Sequence, residues 1–246
     1  MADIQFKHQP VKSILISIFT FPNTGTIMIK QEMAKTINLK FKFLDKKFGK
    51  KEFKLLDIGA GNHSASRIKA LFPTCKYYGL DINKDYSNSE EDFRLMEHFY
   101  EIDLTKLDYT EIPDDYFDGI LMTHVIEHLY NGDKVLDLLL KKLKKNGWMY
   151  LEYPGKKSEK LPSMHGTLNF YDDPSHVRIY TIEELKQIAE QNNCKVKRSG
   201  TRRNYYYIAA MPLRIIQSLI KTKKLNGNIF WDVLGFAEFL EIQKER

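Results

Sequence analysis

Leu55-Leu56-Asp57-Ile58-Gly59-Ala60-Gly61 is the stretch that decides the fold: an apolar run broken by one carboxylate and closed by two glycines. A strand covered on both faces of a parallel sheet reads as a nearly continuous apolar run. Glycines just beyond such a strand let the backbone pass close to a ligand at the sheet's switch point. A Gly-x-Gly pair alone is a weak signal. Asp81 strengthens it, standing 20 residues after Gly61 at the end of the next apolar run. A carboxylate there accepts hydrogen bonds from both hydroxyls of a ribose, so the expected guest is a nucleoside.

Outward from this loop, short apolar strands alternate with amphipathic helices in βαβ order, the pattern of an α/β fold with a doubly wound parallel sheet. Strands are expected at 53–58, 77–81, 99–104, 117–122 and 148–153, with helices at 64–72 and 135–143. A further helix runs to about residue 192 from Thr181, with Glu184 three residues on in a capping-box pattern. Residues 196–200 and 205–210 read as a closing antiparallel hairpin across Thr201-Arg202-Arg203-Asn204. Residues 1–50 form a preface to this domain: an apolar piece at 14–21, a turn at Pro22-Asn23-Thr24-Gly25 and one helix over 27–48. The main domain covers 51–211, and residues 212–246 hold two amphipathic helices, near 213–221 and 230–242.

With 246 residues, 43% apolar and 28% charged, the chain can bury a core of its own, which excludes disorder and a disulfide scaffold. The apolar piece at 14–21 is far shorter than the roughly 20 residues a spanning helix needs. Cys75 and Cys194 are isolated, so neither a disulfide framework nor a zinc knuckle is expected. Phe21-Pro22-Asn23 is a poor cleavage site, and a reducing, cytoplasmic setting fits best. The net charge of +6 divides unevenly: +7 over residues 1–54, −8 over 55–194, +9 over 195–224 and −2 beyond. Basic flanks favour anionic partners, by an attraction that salt weakens.

The identity of the nucleoside follows from what stands around the glycines. A pyrophosphate-binding loop wants Gly-x-Gly-x-x-Gly, but here Ser64 takes the third glycine's place. Asp57 would repel a pyrophosphate yet suits a cationic ammonium group, which favours S-adenosylmethionine. At this point the sequence resembles the seven-stranded, Rossmann-like class I S-adenosylmethionine-dependent methyltransferases (type 11/23-like) over about residues 50–210. Their acidic-x-Gly-x-Gly loop matches Asp57, Gly59 and Gly61, their ribose carboxylate matches Asp81 with Ile82 after it, and their adenine-side pair matches Asp103-Leu104. Phe117-Asp118-Gly119-Ile120 followed by Thr123-His124-Val125-Ile126-Glu127-His128-Leu129 resembles the fourth strand and the turn beneath the methionine moiety. The resemblance implies a mostly parallel seven-stranded sheet with a C-terminal antiparallel hairpin, and cofactor contacts from Thr123 and His124. Many members carry a third glycine where this chain has His63, whose side chain is expected to narrow the loop or lean over the methionine end.

The sulfonium is already activated, so the protein has to align an acceptor atom, exclude water and remove a proton where needed. The loop at 155–180, after the fifth strand, is where such groups are expected, because it faces the open edge of the sheet. His176 or His165 would accept a hydroxyl proton, oriented by Asp172 or Asp173, and Arg178 would clamp an acidic or phosphorylated acceptor. Equally, Asp172, Asp173 and His176 would serve to shape the loop through Asx turns and caps. As metal ligands, His165, Asp172 and His176 match no zinc or iron spacing, and no metal is expected. The segment Asp173-Pro174-Ser175-His176-Val177-Arg178 also resembles the acceptor loop of bacterial surface-polysaccharide methyltransferases, which implies a small or glycan-like hydroxyl acceptor.

Two rival readings come from other stretches. Lys195, Lys197, Arg198, Arg202 and Arg203 interleave with Tyr205, Tyr206 and Tyr207, a composition suited to single-stranded RNA as the methyl acceptor. Residues 212–224 join Leu213, Ile215, Ile216, Leu219 and Ile220 to Lys221, Lys223 and Lys224. That composition suits an anionic membrane surface in a cofactor-binding protein that has lost catalysis, although a helix covering the sheet edge accounts for it more simply.

Overall fold

The computed structural model describes residues 24–84 and 86–245. The apolar piece at 14–21, together with Pro22 and Asn23, lies outside the described residues. Thr24 and Gly25 open a helix.

The described residues open with α1 (Thr24–Ile37) and α2 (Leu39–Lys47), in place of the single helix expected over 27–48. Asn38 divides them: its backbone is extended, and its side chain accepts from the Lys40 amide to cap α2. Asparagine competes with the helix for backbone donors in this way. Then follow β1 (Phe53–Ile58), α3 (Ser64–Leu71), β2 (Cys75–Asp81), α4 (Glu90–Arg94), β3 (His98–Glu101), β4 (Phe117–Thr123), α5 (Gly132–Lys141), β5 (Leu143–Pro154) and α6 (Ile182–Gln191). The chain closes with β6 (Cys194–Thr201), α7 (Tyr205–Ala209), α8 (Met211–Thr222), α9 (Trp231–Leu234) and β7 (Ala237–Lys244).

The strands form one sheet in the order β3-β2-β1-β4-β5-β7-β6, parallel except at β7, which runs antiparallel to β5 and β6. This is a Rossmann-like α/β fold. From β1 the chain goes to one flank for β2 and β3, then returns to place β4 on the other, so the crevice at the carboxyl ends of β1 and β4 is the switch point. β1 is buried at every position but Lys54, as a doubly covered strand should be. On one face α5 docks through Val135, Leu136, Leu139 and Leu140, all fully buried, and each contributes about 1.5–3 kcal/mol. On the other, α2 and α3 bring Phe41, Phe43, Leu44, Ala65 and Ile68 against β1 and β2, so α2, the last helix of the preface, is part of the core.

Three expectations are corrected. Residues 205–210 are not a strand: Asn204 accepts from the amides of Tyr206 and Tyr207 and starts α7. Residues 230–242 are not a helix: α9 stops at Gly235, whose φ is +75°, and β7 follows. The antiparallel pair is therefore β6 with β7, and residues 237–244 belong inside the sheet, not to a helical tail. Finally, α8 does not cover the sheet edge: Leu213, Ile216, Leu219 and Ile220 are exposed and none of its residues is buried. Among the described residues no helix is long and apolar enough to cross a membrane. Cys75 and Cys194 are free and buried.

Candidate active site

At the carboxyl end of β1 the glycine loop is held against β2, with the amides of Gly59 and Ala60 both donating to the Leu80 carbonyl at 2.8 and 3.1 Å. Gly59 has φ +77°, and a Cβ there would stand 2.6 Å from a Val125 methyl. At Gly61 a Cβ would stand 2.3 Å from the ring of Tyr86, which lies across the loop. Both glycines are thus required by close approach. Asp57 sits beneath them, buried, its Oδ2 accepting from the Ser64 and Tyr77 hydroxyls. Through Oδ2 this carboxylate braces the loop from below.

Asp81 closes β2 with its carboxylate at the crevice, receiving a long 3.4 Å contact from the Asn83 amide. Burial pushes its pKa up, opposed by hydrogen bonds from the amides of Asn83 and Ile82. Ile82 beside it is exposed. Asp103 caps the short turn at Leu104–Lys106, accepting from the Thr105 hydroxyl and amide, and the hydroxyl contact is the main reason its pKa falls. Leu104 is buried. His63 does not lean over the crevice. It faces outward, and its Nδ1 lies 2.7 Å from Asp92, a fully buried carboxylate that also takes the Ser66 and Ser89 hydroxyls.

Where β4 and β5 end, a cavity of about 200 Å³ opens. Its lining includes Thr123, His124, Glu152, Arg202, Asn204 and Trp231, with Asn38 and Lys40 from the junction of α1 and α2. His124 has a left-handed backbone (φ 55°), and its amide donates to the Glu152 carbonyl, which turns the ring into the cavity. Its Nδ1 lies 3.3 Å from Glu127 and its Nε2 3.3 Å from Glu152. Burial alone would lower the imidazole pKa, but the two carboxylates outweigh it and hold the pKa at about 9. Glu152 is buried too, which by itself favours the neutral acid. Arg202 at 3.4 Å, His124 and the Tyr150 hydroxyl at 2.6 Å reverse that and bring its pKa to about 2. Arg202 continues the chain of charges to Asp232 at 3.0 Å. Trp231 stacks on Phe236, with centroids 4.5 Å apart, and donates its indole N–H to the Thr167 carbonyl, tying the 155–180 loop to the cavity wall.

The residues expected to act from that loop are placed differently. Asp172 accepts from the Ser163 hydroxyl and from the amides of Met164, Leu168 and Asn169; these bonds outweigh burial and lower its pKa. Arg178 is clamped between Asp133 and Glu184 over the Tyr180 ring, so Glu184 does not complete a capping box with Thr181. His165 is exposed, and its carbonyl accepts from the Gly227 amide. His176 has a buried ring whose Nδ1 lies 2.6 Å from the Phe170 carbonyl, and burial lowers its pKa. The histidine it meets is His128, with ring centroids 4.9 Å apart.

Sequence reasoning missed Asn38, Glu152, Asn204 and Trp231 and assigned Arg202 to nucleic acid. The available signal was Glu152, a lone carboxylate in an otherwise apolar strand, which when buried demands partners.

The methyltransferase-domain profile matches residues 29–199. No curated protein matches the chain in sequence. Among solved structures, it is similar to a SAM-dependent methyltransferase from Archaeoglobus fulgidus, with 20% identity over 90% of this chain and 100% of the other, and a TM-score of 0.53. It is also similar to an S-adenosylmethionine-dependent methyltransferase from Mesorhizobium loti, with 10% identity over 85% and 99%, and a TM-score of 0.57. A third is phosphoethanolamine N-methyltransferase 2 from Haemonchus contortus in complex with S-adenosyl-L-methionine, with 17% identity over 83% and 52%, and a TM-score of 0.57. With the profile covering most of its length and the sheet order and glycine crevice in agreement, the chain belongs to the methyltransferase-domain family.

Proposed function

We propose that the protein transfers a methyl group to a small polar acceptor, a hydroxyl oxygen on a sugar-like ring, held in the cavity beside His124. The cofactor is S-adenosyl-L-methionine. Asp81 would receive its ribose hydroxyls, Ile82 and the Asp103-Leu104 pair would flank its adenine, and Gly59, Gly61, Thr123 and His124 would line the path to its methionine end. That cofactor supplies an electrophilic methyl group. The chain's own residues bind it, orient the acceptor and exclude water.

The observation that carries this reading is that the cavity opens on Thr123 and His124, so acceptor and sulfonium would meet there. At about 200 Å³ it is smaller than the roughly 300–1,000 Å³ of drug-sized sites, which suits one small ring. His124 and Arg202 offer charged donors and Glu152 a charged acceptor, a set that recognises hydroxyls or a phosphate. His124 is protonated at neutral pH and positions the acceptor, while Glu152, the ionised carboxylate on the cavity wall, would take the hydroxyl proton as the methyl group transfers.

The RNA reading is less well supported. Arg198 and Lys197 are paired with Glu241 and Glu245, Arg202 points into the small cavity, and Arg203 donates to the Asp232 and Val233 carbonyls. The outward apolar stripe on α8 instead favours peripheral contact with anionic lipid. Arg214 packs inward on the Tyr207 ring, while Leu213, Ile216 and Ile220 face out beside Lys221, Lys223 and Lys224. Two buried free cysteines agree with a cytoplasmic setting.

The test is methylation of a panel of sugars, sugar phosphates and RNA with labelled cofactor. With the acceptor found, Arg202→Met should lower kcat/KM about 10- to 100-fold, the worth of one charge-assisted hydrogen bond, with cofactor affinity unchanged. Unchanged kcat/KM in Arg202→Met would overturn the placement of the acceptor.

A further inference from the structure

Glu127 stands on the turn after β4, with its side chain 1% exposed. Its Oε1 lies beside His124, whereas its Oε2 is buried without a hydrogen-bond partner. A buried, unpaired carboxylate oxygen is costly, and such groups are normally satisfied. Beside it stand His128 and His176, and one ligand atom from each of the three residues lies within 4.8 Å of the other two.

The histidine hydrogen bonds determine which nitrogens are available. Nδ1 of His176 faces the Phe170 carbonyl at 2.6 Å, and Nδ1 of His128 faces the Ser175 carbonyl at 3.2 Å and the Ser175 hydroxyl at 2.9 Å. Carbonyls only accept, so each Nδ1 carries the proton and each Nε2 presents a lone pair. Holding one ring N–H against a carbonyl is how proteins orient a metal-binding histidine. Asp173, 3.9 Å from His176 Nε2, is within reach as a fourth ligand.

We infer that Glu127, His128 and His176 form a binding site for one divalent transition-metal ion, zinc by its ligand chemistry, that clasps the 155–180 loop to the turn after β4. Two imidazoles and a carboxylate are a recognised zinc donor set. Ligands at 2.0–2.1 Å around a tetrahedral ion lie roughly 3.3 Å apart, so the side chains draw in by about 1 Å or more on binding. The backbone already joins the two segments, with the amides of Val177 and Arg178 donating to the Glu127 carbonyl at 2.9 and 3.3 Å. Side-by-side sequence reading missed this set because 48 residues separate His128 from His176.

The site stands independently of methyl transfer, since its readout is metal uptake. Tag-free, full-length protein stripped with EDTA is titrated with zinc alone by calorimetry, and bound metal is measured after dialysis. Cobalt(II) is used as a spectroscopic probe of four-coordination. One equivalent is expected, with a rise in Tm, and Glu127→Gln and His176→Gln should bring uptake to background. Ser175→Ala, which leaves all three ligands, should weaken affinity about 10-fold. His98→Gln, a surface control, should change nothing. Folded wild-type protein that takes up no metal would overturn the site. So would uptake unaltered by His176→Gln or, should that variant misfold, by Ser175→Ala.

Discussion

Replacing His124 by Gln tests the charge chain around the cavity. In the folded protein Glu127 and Glu152 raise the imidazole pKa from its ordinary 6.5 to about 9. At 1.36 kcal/mol per pKa unit this corresponds to about 3 kcal/mol of stability, an upper figure because the ring is partly exposed. The sign follows from linkage: a folded pKa above the unfolded one stabilises fully below pH 6.5, and that gain is lost as pH rises through 9. The attraction to Glu152 is counted once here. Its counterpart appears at the acid end, where Glu152 contributes above pH 4.5 and the contribution disappears as pH falls toward 2. Urea unfolding of wild type and His124→Gln from pH 6 to 10, in chelating buffer, should show the stability gap between them shrinking by about 3 kcal/mol across that range. A gap that stays constant, or a His124 ring proton titrating near 6.5 by NMR, would refute the reasoning.

Asp81→Ala should weaken cofactor binding about 100-fold by calorimetry, since a carboxylate accepting two hydroxyls makes two charge-assisted bonds; an unchanged affinity would remove it from the ribose site. Gly59→Ala meets both a positive φ and a methyl group 2.6 Å away, and should cost about 1–3 kcal/mol in urea unfolding. Lys221→Glu, Lys223→Glu and Lys224→Glu together should abolish co-sedimentation with phosphatidylserine vesicles, whereas equal binding by the triple variant would exclude the lipid role of α8.

The glycine loop and its ribose carboxylate were legible because their logic is local: an apolar strand, two glycines and an acid at a fixed distance. β7 was not. Ala237-Glu238-Phe239-Leu240-Glu241-Ile242 has the glutamates and leucine of a helix, and only its neighbours make it a strand, with Leu240 and Ile242 buried between β5 and β6. Tyr205-Tyr206-Tyr207 misled in the opposite direction, since aromatic residues favour strands but the Asn204 cap wins locally. The cavity was illegible for a third reason. Asn38, Glu152, Arg202, Asn204 and Trp231 come from separate parts of the fold, and no spacing announces them. The polar residues concentrated in the 155–180 loop were visible, but Asp172 serves to shape that loop, the alternative its composition leaves open, and Arg178, expected to hold an acceptor, is paired with Asp133 and Glu184.

The position of β7 has a consequence for how the molecule is made. β6 has no place in the sheet until a strand synthesised 35 residues later slides in beside it, because β7 alone connects it to β5. Without β7 in place, β5 has an open edge, a template for pairing with other chains. A chain cut short before residue 237 should therefore aggregate more readily than the full-length chain, because nothing else lies between β5 and β6.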